Sequence, residues 1–516
     1  MWPITSACTG RPPSDRCLTR HPHDSSPEMA NYWTPPTDRH GRAGREGQAE
    51  LRFQVSRPAV SGVRPDQPRT LAERVREKPT GSGKGVLMKA FTVTITGLGF
   101  TGLPMAIDAA RAGCEVVGVD SSPGRVAAIA SGSVGGELTT VSDRELREVL
   151  ATGRLHVQTN AHTLPAADIH VLCVPTPPGE SHGANLVPLR DAARHVASSL
   201  RAGDLVVVQS SCPPGVVDEV VAVDLAQGSG LRVGRDFHLA HSPVRIDPGI
   251  ASATLRTIPR IVGGATPQCT ELAARFLRQL ADRVVTVSSI QTAELVKIFE
   301  NVFRLVNISL VNELAALCQA SGAAVEEVLD AAASKPFGFL RHAPSAGAGG
   351  DCVPVCAGFF ASAARRRGVA ARLVESAIAR NNSMPAQTVR RLDELLSAHG
   401  FRPTSECRVL VVGVTYKPDV PNVRQSAAVK VLELLGRRTK VGYHDPHVPR
   451  LVLRDGTTMR SRPLRPGSAD LVVVLVRHKA MNLDVLIRGH APVVDCADGL
   501  PRLLTPPPAD ITAVAC

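Results

Sequence analysis

Apolar positions along residues 1–87 follow neither the two-residue period of a strand nor the three-to-four spacing of a helix. Pro, Arg, Ser and Asp are frequent there, and a segment that cannot bury apolar surface reads as a disordered extension. From Lys89 the pattern changes. FTVTITGLGFTGLPMAIDAARAGCEVVGVD (91–120) reads as strand, glycine turn, helix and strand. Further apolar strand cores stand at DIHVLCVP (168–175) and DLVVVQSS (204–211), with helix-like segments between them. Alternating βα units of this kind imply a parallel sheet with helices on both faces.

Next comes IQTAELVKIFENVFRLVNISLVNELAALCQASG (290–322), whose apolar residues recur three and four apart. The spacing predicts one long helix ending at Gly322, and helical patterns continue to about residue 398. A second α/β block opens at CRVLVVGVTYKPD (407–419), followed by a helix at 425–437 and the strand patterns TKVGYHDP, ADLVVVLV and APVVDCAD. The fold class is therefore α/β: two Rossmann-like, doubly wound parallel-sheet domains joined by a helical middle. We place the boundaries at 1–87, 88–288, 289–400 and 401–516. Met88 stands just before the first strand, which leaves open that the extension is an upstream mistranslation.

Composition narrows this little. Aromatic residues make up only 3% of the chain, so the cores must be built from Val, Leu, Ala and Ile. The net charge of +12 includes +5 from residues 1–87, where 14 Lys/Arg face 9 Asp/Glu, and leaves +7 spread over the rest. Basic residues are not interleaved with stacking aromatics, which argues against a nucleic-acid surface and suits an anionic small molecule. No uninterrupted apolar run reaches the roughly 18 residues of a membrane span. With no signal-peptide pattern, a cytoplasmic location is the default. The 12 cysteines are scattered, as in a reducing compartment, and no CxxC of zinc-site spacing occurs, so no metal site is expected. GSGKG (81–85) lacks the first glycine, the hydroxyl and the strand of a phosphate loop.

Chemistry concentrates in two places. Gly97, Gly99 and Gly102 follow a strand and open a helix, and Asp120 ends the next strand 18 residues beyond Gly102. In that setting the first glycine permits a tight turn, the second lets a pyrophosphate approach the backbone, and the third allows close helix packing. Asp120 would accept hydrogen bonds from a ribose, favouring NAD over its phosphorylated form. The second place is GAGGDCVPVC (347–356), where Cys352 and Cys356 stand four apart behind glycines. A nucleophile, a redox pair, a metal ligand and an inert core thiol all remain open from spacing alone.

Taken together, GLGFTGLPMA, CVPTP (173–177), SSCPPG (210–215), AELVKIFENVFRLVNISLVNELA (293–315), GAGGDCVP and YKPDVPNVRQS (416–426) resemble the UDP-glucose/GDP-mannose dehydrogenase family. KPFGF (335–339) looks most like the UDP-N-acetylglucosamine/mannosamine branch. The resemblance runs from about Lys89 to about Leu500. It implies NAD-dependent oxidation of C6 of a nucleotide-linked sugar, a UDP-sugar favoured, to the uronate, for polysaccharide or glycoconjugate precursors.

It also implies site roles. Cys352 would be the nucleophile that carries thiohemiacetal and thioester. Lys297 and Asn301 would steady the oxyanion and touch the substrate, their i,i+4 spacing placing them on one helix face. Gly349 and Lys417 would contact the substrate. Arg125, Thr176, Ser211 and Arg424 would join Gly97, Gly99, Gly102 and Asp120 around NAD. The long helix would supply a homodimer interface, and neither nucleic acid nor membrane is an expected partner.

Two departures stand out. The family's Ser-Pro-Glu-Arg is Ser-Pro-Val-Arg here, with Val244 in place of the glutamate. The aspartate four residues beyond the nucleophile is Cys356. Loss of a general base costs roughly 10²–10⁴-fold in the step it serves, here thioester hydrolysis. Asp351 or Asp247 could take over. Otherwise oxidation stops at the aldehyde, the acyl group goes to another acceptor, or the chain binds NAD and nucleotide sugar without catalysis. A dehydrogenase of an unrelated sugar is a further reading.

Overall fold

The computed structural model describes residues 91–135, 141–159, 164–179, 183–246, 254–489 and 491–505. The expected extension, GSGKG and Asp247 lie outside them. The N-terminal sheet is built from short strands: β1 (Thr92–Thr96), β2 (Glu115–Val119), β3 (Leu155–Gln158), β4 (Ile169–Leu172), β5 (Leu205–Val208), β6 (His238–His241), β7 (Arg260–Gly264) and β8 (Val284–Thr286). Their order is β3-β2-β1-β4-β5-β6-β7-β8. The first six are mutually parallel, the arrangement of a dinucleotide-binding sheet.

Both faces are covered, so β4 and β5 are buried along their whole length and read as unbroken apolar runs. Val171 and Val207 pack into a cluster with Ile95 and Met105. Their neighbours Leu172 and Val208 face the other way, among Val196 and Phe237, as strand alternation requires. One difference from a fully parallel sheet appears at β7, which runs antiparallel to β6, with β8 parallel to β7. Antiparallel strands need no helical crossover, and no helix is described between β6 and β7.

Helices then occupy most of 290–398: the long helix Ile290–Ser321, Val325–Ala333, the cysteine helix Val353–Arg366 and Arg372–Ala398. The long helix starts where the Ser289 hydroxyl accepts the Thr292 N–H at 3.1 Å and ends at Gly322, whose φ of +71° suits glycine. Its length and apolarity would suffice for a membrane span. Instead, Glu294, Lys297, Asn301 and Asn312 lie on its buried face, against protein. Its opposite face exposes Leu295, Phe299, Phe303, Leu310 and Leu317.

The C-terminal sheet has β9 (Arg408–Val412), β10 (Lys440–His444), β13 (Leu471–Val474), β14 (Val493–Asp495) and β15 (Arg502–Thr505) in the order β10-β9-β13-β14-β15. A hairpin of β11 (Arg450–Val452) and β12 (Thr458–Arg460) lies beside it. Only β15 is antiparallel in this sheet. The architecture is thus α/β, two doubly wound and mostly parallel sheets joined by a helical middle.

Candidate active site

The glycine turn lies at the C-terminal edge of the first sheet, where β1 and β4 part. Gly97 has φ of +93°, and a Cβ there would lie 2.9 Å from the Cys173 carbonyl. At Gly102 a Cβ would fall 1.7 Å from the Gly97 oxygen, so only glycine allows helix Gly102–Arg111 to start there. At Gly99 a Cβ would meet nothing within 4 Å. The turn is open on that side, which is room for a pyrophosphate against bare backbone. Asp120 takes the Leu98 N–H on Oδ2 and the Ser122 N–H on Oδ1, both at 2.9 Å. A carboxylate has about four acceptor directions, so both oxygens can still receive ribose hydroxyls. Arg125 Nε stands 4.0 Å from Asp120, and the Thr176 hydroxyl donates to the Ser211 carbonyl. The donor and acceptor set fits NAD.

A second region is a cavity of about 690 Å³ between the long helix, the cysteine loop and the loop after β9. Cys352, Lys297, Asn301, Gly349 and Lys417 all line it, with Asp351, Tyr416, Glu300, Arg245, Arg304, Arg341 and His342. The expected cofactor residues do not line it. Among the nine described cysteines, Cys352 is the exposed one. It is the N-cap of the cysteine helix, where the positive end of the helix dipole favours an anion. Lys297 and Asn301 are each 7% exposed.

The Asn301 amide N–H reaches Cys356 Sγ at 3.1 Å. Burial pushes the Cys356 thiol up to about 11, against the pull of Asn301 and Lys297. Position 356 therefore looks onto the polar groups of the site, although its occupant is a neutral thiol. Val244 differs: it is 8% exposed and packs in the same apolar cluster as Leu98.

Two of the expected residues also hold contacts within the protein. Gly349, on the cavity wall, also packs tightly inward: a Cβ there would strike the Gln425 carbonyl at 2.7 Å and the Tyr416 Cβ at 3.0 Å. Its tight contact is with the C-terminal domain. Arg424, expected at NAD, donates through Nη1 to Asp351 at 3.0 Å, and its carbonyl accepts the Gly350 N–H at 3.0 Å. Asp351, a candidate replacement base, is thus held in an ion pair.

Sequence reasoning missed the clamps. Asn381, 5% exposed, accepts the Ala348 N–H at 2.7 Å and donates to the Ala348 carbonyl at 3.0 Å. Asn312 accepts the Ser345 N–H at 2.9 Å. Glu300 pairs with Arg245 through both carboxylate oxygens at 2.9 and 3.0 Å, placing a carboxylate on the cavity wall. Glu294, Asn312 and Glu300 carried a signal, being polar residues within an apolar helical pattern; Asn381 carried none.

Asp419, His447 and His478 bring possible metal-ligating atoms within 4.8 Å of one another. A backbone N–H can only donate, so the Asp419 N–H at 2.8 Å occupies the His478 Nδ1 lone pair. Nε2 then donates toward Asp445 Oδ2 at 3.1 Å. This network fastens the loop that carries Tyr416 and Lys417 and leaves the ring no lone pair for an ion.

Three domain models of the UDP-glucose/GDP-mannose dehydrogenase family match the chain in order. They are the NAD binding domain over 91–281, the central domain over 291–383 and the UDP binding domain over 410–498. The chain is 34% identical over 357 residues to the UDP-N-acetyl-D-mannosamine dehydrogenase of Pyrococcus horikoshii, spanning 69% of this chain and 84% of that protein. It is 30% identical over 363 residues to the UDP-N-acetyl-D-glucosamine 6-dehydrogenase of Pseudomonas aeruginosa, spanning 70% and 84%. The solved structure of the Pyrococcus horikoshii UDP-D-ManNAc dehydrogenase superposes with a TM-score of 0.71 at 30% identity, covering 81% of this chain and 97% of that one.

Proposed function

Because the chain belongs to the UDP-glucose/GDP-mannose dehydrogenase family, we propose that it oxidises C6 of a UDP-linked sugar to the uronate through a thioester on Cys352. It is an NAD-dependent oxidoreductase acting on CH–OH. The names of its relatives and the KPFGF stretch favour an N-acetylhexosamine as the sugar. The observation that carries the reading is the meeting of Cys352, Lys297, Asn301 and Lys417 in one cavity.

In this reading Lys417 and the arginines of the cavity wall balance the diphosphate charge. When bound, NAD would supply the hydride acceptor, one molecule for the alcohol carbon and a second, after exchange, for the thiohemiacetal carbon. The Cys352 sulfur adds to the aldehyde carbon, forming the C–S bond of the thiohemiacetal, and the Lys297 ammonium in the same cavity steadies the oxyanion. Loss of the second hydride leaves a thioester. Water then breaks the C–S bond, releasing the carboxylate and the free thiol.

A second reading, arrest at the aldehyde, is favoured by Val244. Packed in an apolar cluster, it can neither orient water nor take its proton. Stoichiometry separates the two readings. About two NADH per sugar with a uronate product supports full oxidation, and one NADH with an aldehyde product rejects it. The exposed stripe Leu295, Phe299, Phe303, Leu310 and Leu317 covers one face of the long helix and suits a second copy of the chain across a two-fold axis. Light scattering should give a dimer mass.

A further inference from the structure

Glu294 lies on the long helix one turn before Lys297 and two before Asn301, on the same buried face, and is 1% exposed. Its Oε2 accepts the Gly215 N–H at 2.6 Å, and its Oε1 accepts the Val217 N–H at 3.0 Å. The Cys212 thiol points at Oε1 from 3.7 Å. All three donors belong to the segment that leaves β5, within a few residues of Ser211. That segment is also tied to β4's exit by the bond from Thr176 to the Ser211 carbonyl. Gly215 and Val217 lie at the start of the helical run Val217–Val221 that leads into Ala222–Ser229. Glu294 thus supplies from a distant helix the acceptors that a local cap would provide.

We propose that Glu294 is a positioning residue that locks the Ser211 loop to the helix bearing Lys297 and Asn301, and so sets the spacing between the cofactor and substrate halves of the site. The proposal rests on the reading of those halves given above. A hydride transfer is sensitive to errors of about 1 Å in that spacing. The two backbone bonds hold the loop relative to the helix from opposite oxygens of one carboxylate, which a single acceptor could not do. Burial pushes Glu294 up to about 7, its two backbone bonds pull it down, and Asp218 pushes it further up. Asp218 on the helical run and Cys212 on the loop are the titratable groups facing it. Protonation removes one good acceptor, so the grip on the loop should weaken as pH falls through neutrality.

The test is Glu294→Gln in the full chain. Calorimetry of NAD binding without sugar is combined with kcat, sugar KM and Tm. We expect the NAD Kd to rise about 10-fold and kcat to fall about 10-fold, with sugar KM within twofold. We also expect the wild-type NAD Kd to rise between pH 8 and pH 6 while that of Glu294→Gln stays flat. If Glu294→Gln does not fold, Glu294→Asp, retracted by one methylene, is read in the same assays. A folded variant with wild-type NAD Kd and kcat overturns the proposal, and so does an equal rise in NAD Kd and sugar KM that tracks Tm. Gly99→Ala serves as the control. If it weakens NAD binding while Glu294→Gln does not, this proposal alone falls. If neither does, the cofactor reading falls with it.

Discussion

Gly99 and Gly102 lie three residues apart in one turn, yet alanine should affect them through different physics. At Gly102 the new Cβ would sit 1.7 Å from the Gly97 oxygen and 2.9 Å from its carbonyl carbon. Both partners are backbone, so relief requires the turn and the helix to separate by more than an ångström. Overpacking of flexible side chains costs about 1–3 kcal/mol, and a backbone clash of this depth should exceed that range. We expect Gly102→Ala to lower Tm by at least about 5 °C. At Gly99 the Cβ enters open space, so the apo stability should change by less than about 0.5 kcal/mol. What it removes is the close approach of an anionic ligand to the backbone. Charge-assisted hydrogen bonds contribute about 1.5–3 kcal/mol each, so the NAD Kd should rise about 10- to 100-fold. Differential scanning calorimetry and isothermal titration read the two quantities separately. Gly99→Ala with unchanged Tm and unchanged NAD affinity would refute the placement of the pyrophosphate on this turn.

Other consequences follow from the same geometry. Cys352→Ala should abolish uronate and reduce the yield from about two NADH per sugar to at most one, read by absorbance and product mass; a persistent uronate removes the thioester. Cys356→Asp places a carboxylate beside the Asn301 amide and should raise uronate formation about 10-fold or more where hydrolysis limits the rate; an unchanged rate means that water is held elsewhere. Asn381→Ala leaves the Ala348 N–H and carbonyl without their clamp, at about 1–3 kcal/mol per buried group. It should reduce kcat more than 10-fold while sparing NAD affinity. Burial raises Glu294 from 4.5 to about 7, so the folded state prefers it protonated. That contribution, about 3 kcal/mol, is full below the unfolded value and is lost as pH rises through about 7. Glu294→Gln should flatten Tm between pH 5 and 8, and a parallel pH dependence in both proteins would show that the effect lies elsewhere.

Which features could be read in the chain follows from the range of the interactions that make them. β4 and β5 were legible because burial on both faces imposes an unbroken apolar run, and the long helix because its core face repeats every three to four residues. Lys297 and Asn301 were legible for the same reason, since one helix turn fixes their relation. The reversal at β7 was not, because HSPVRIDPG has no period to follow. Nor was the pairing of Arg424 with Asp351, 73 residues apart. The contact that makes glycine necessary at Gly349, with Gln425 and Tyr416, depends on how the C-terminal sheet docks against the cysteine loop. Asn381 shows the limit most clearly. Its side chain clamps Ala348, and Pro385, inside the same helix, lacks the N–H that would bond the Asn381 carbonyl. A Cβ at Gly347 would lie 3.3 Å from that carbonyl.

The two missing carboxylates also differ once their surroundings are known. Val244 has joined the apolar packing under the glycine turn, so a glutamate there would now be placed among Leu98 and its neighbours and would face a desolvation cost. Cys356 still looks onto Asn301 and into the field of Lys297, which pull against the burial that raises its thiol. Chemistry has been replaced by packing at the first position, whereas at the second only the occupant has changed. Any recovery of hydrolytic rate should therefore come from position 356, and a Val244→Glu variant should lose stability without gaining turnover.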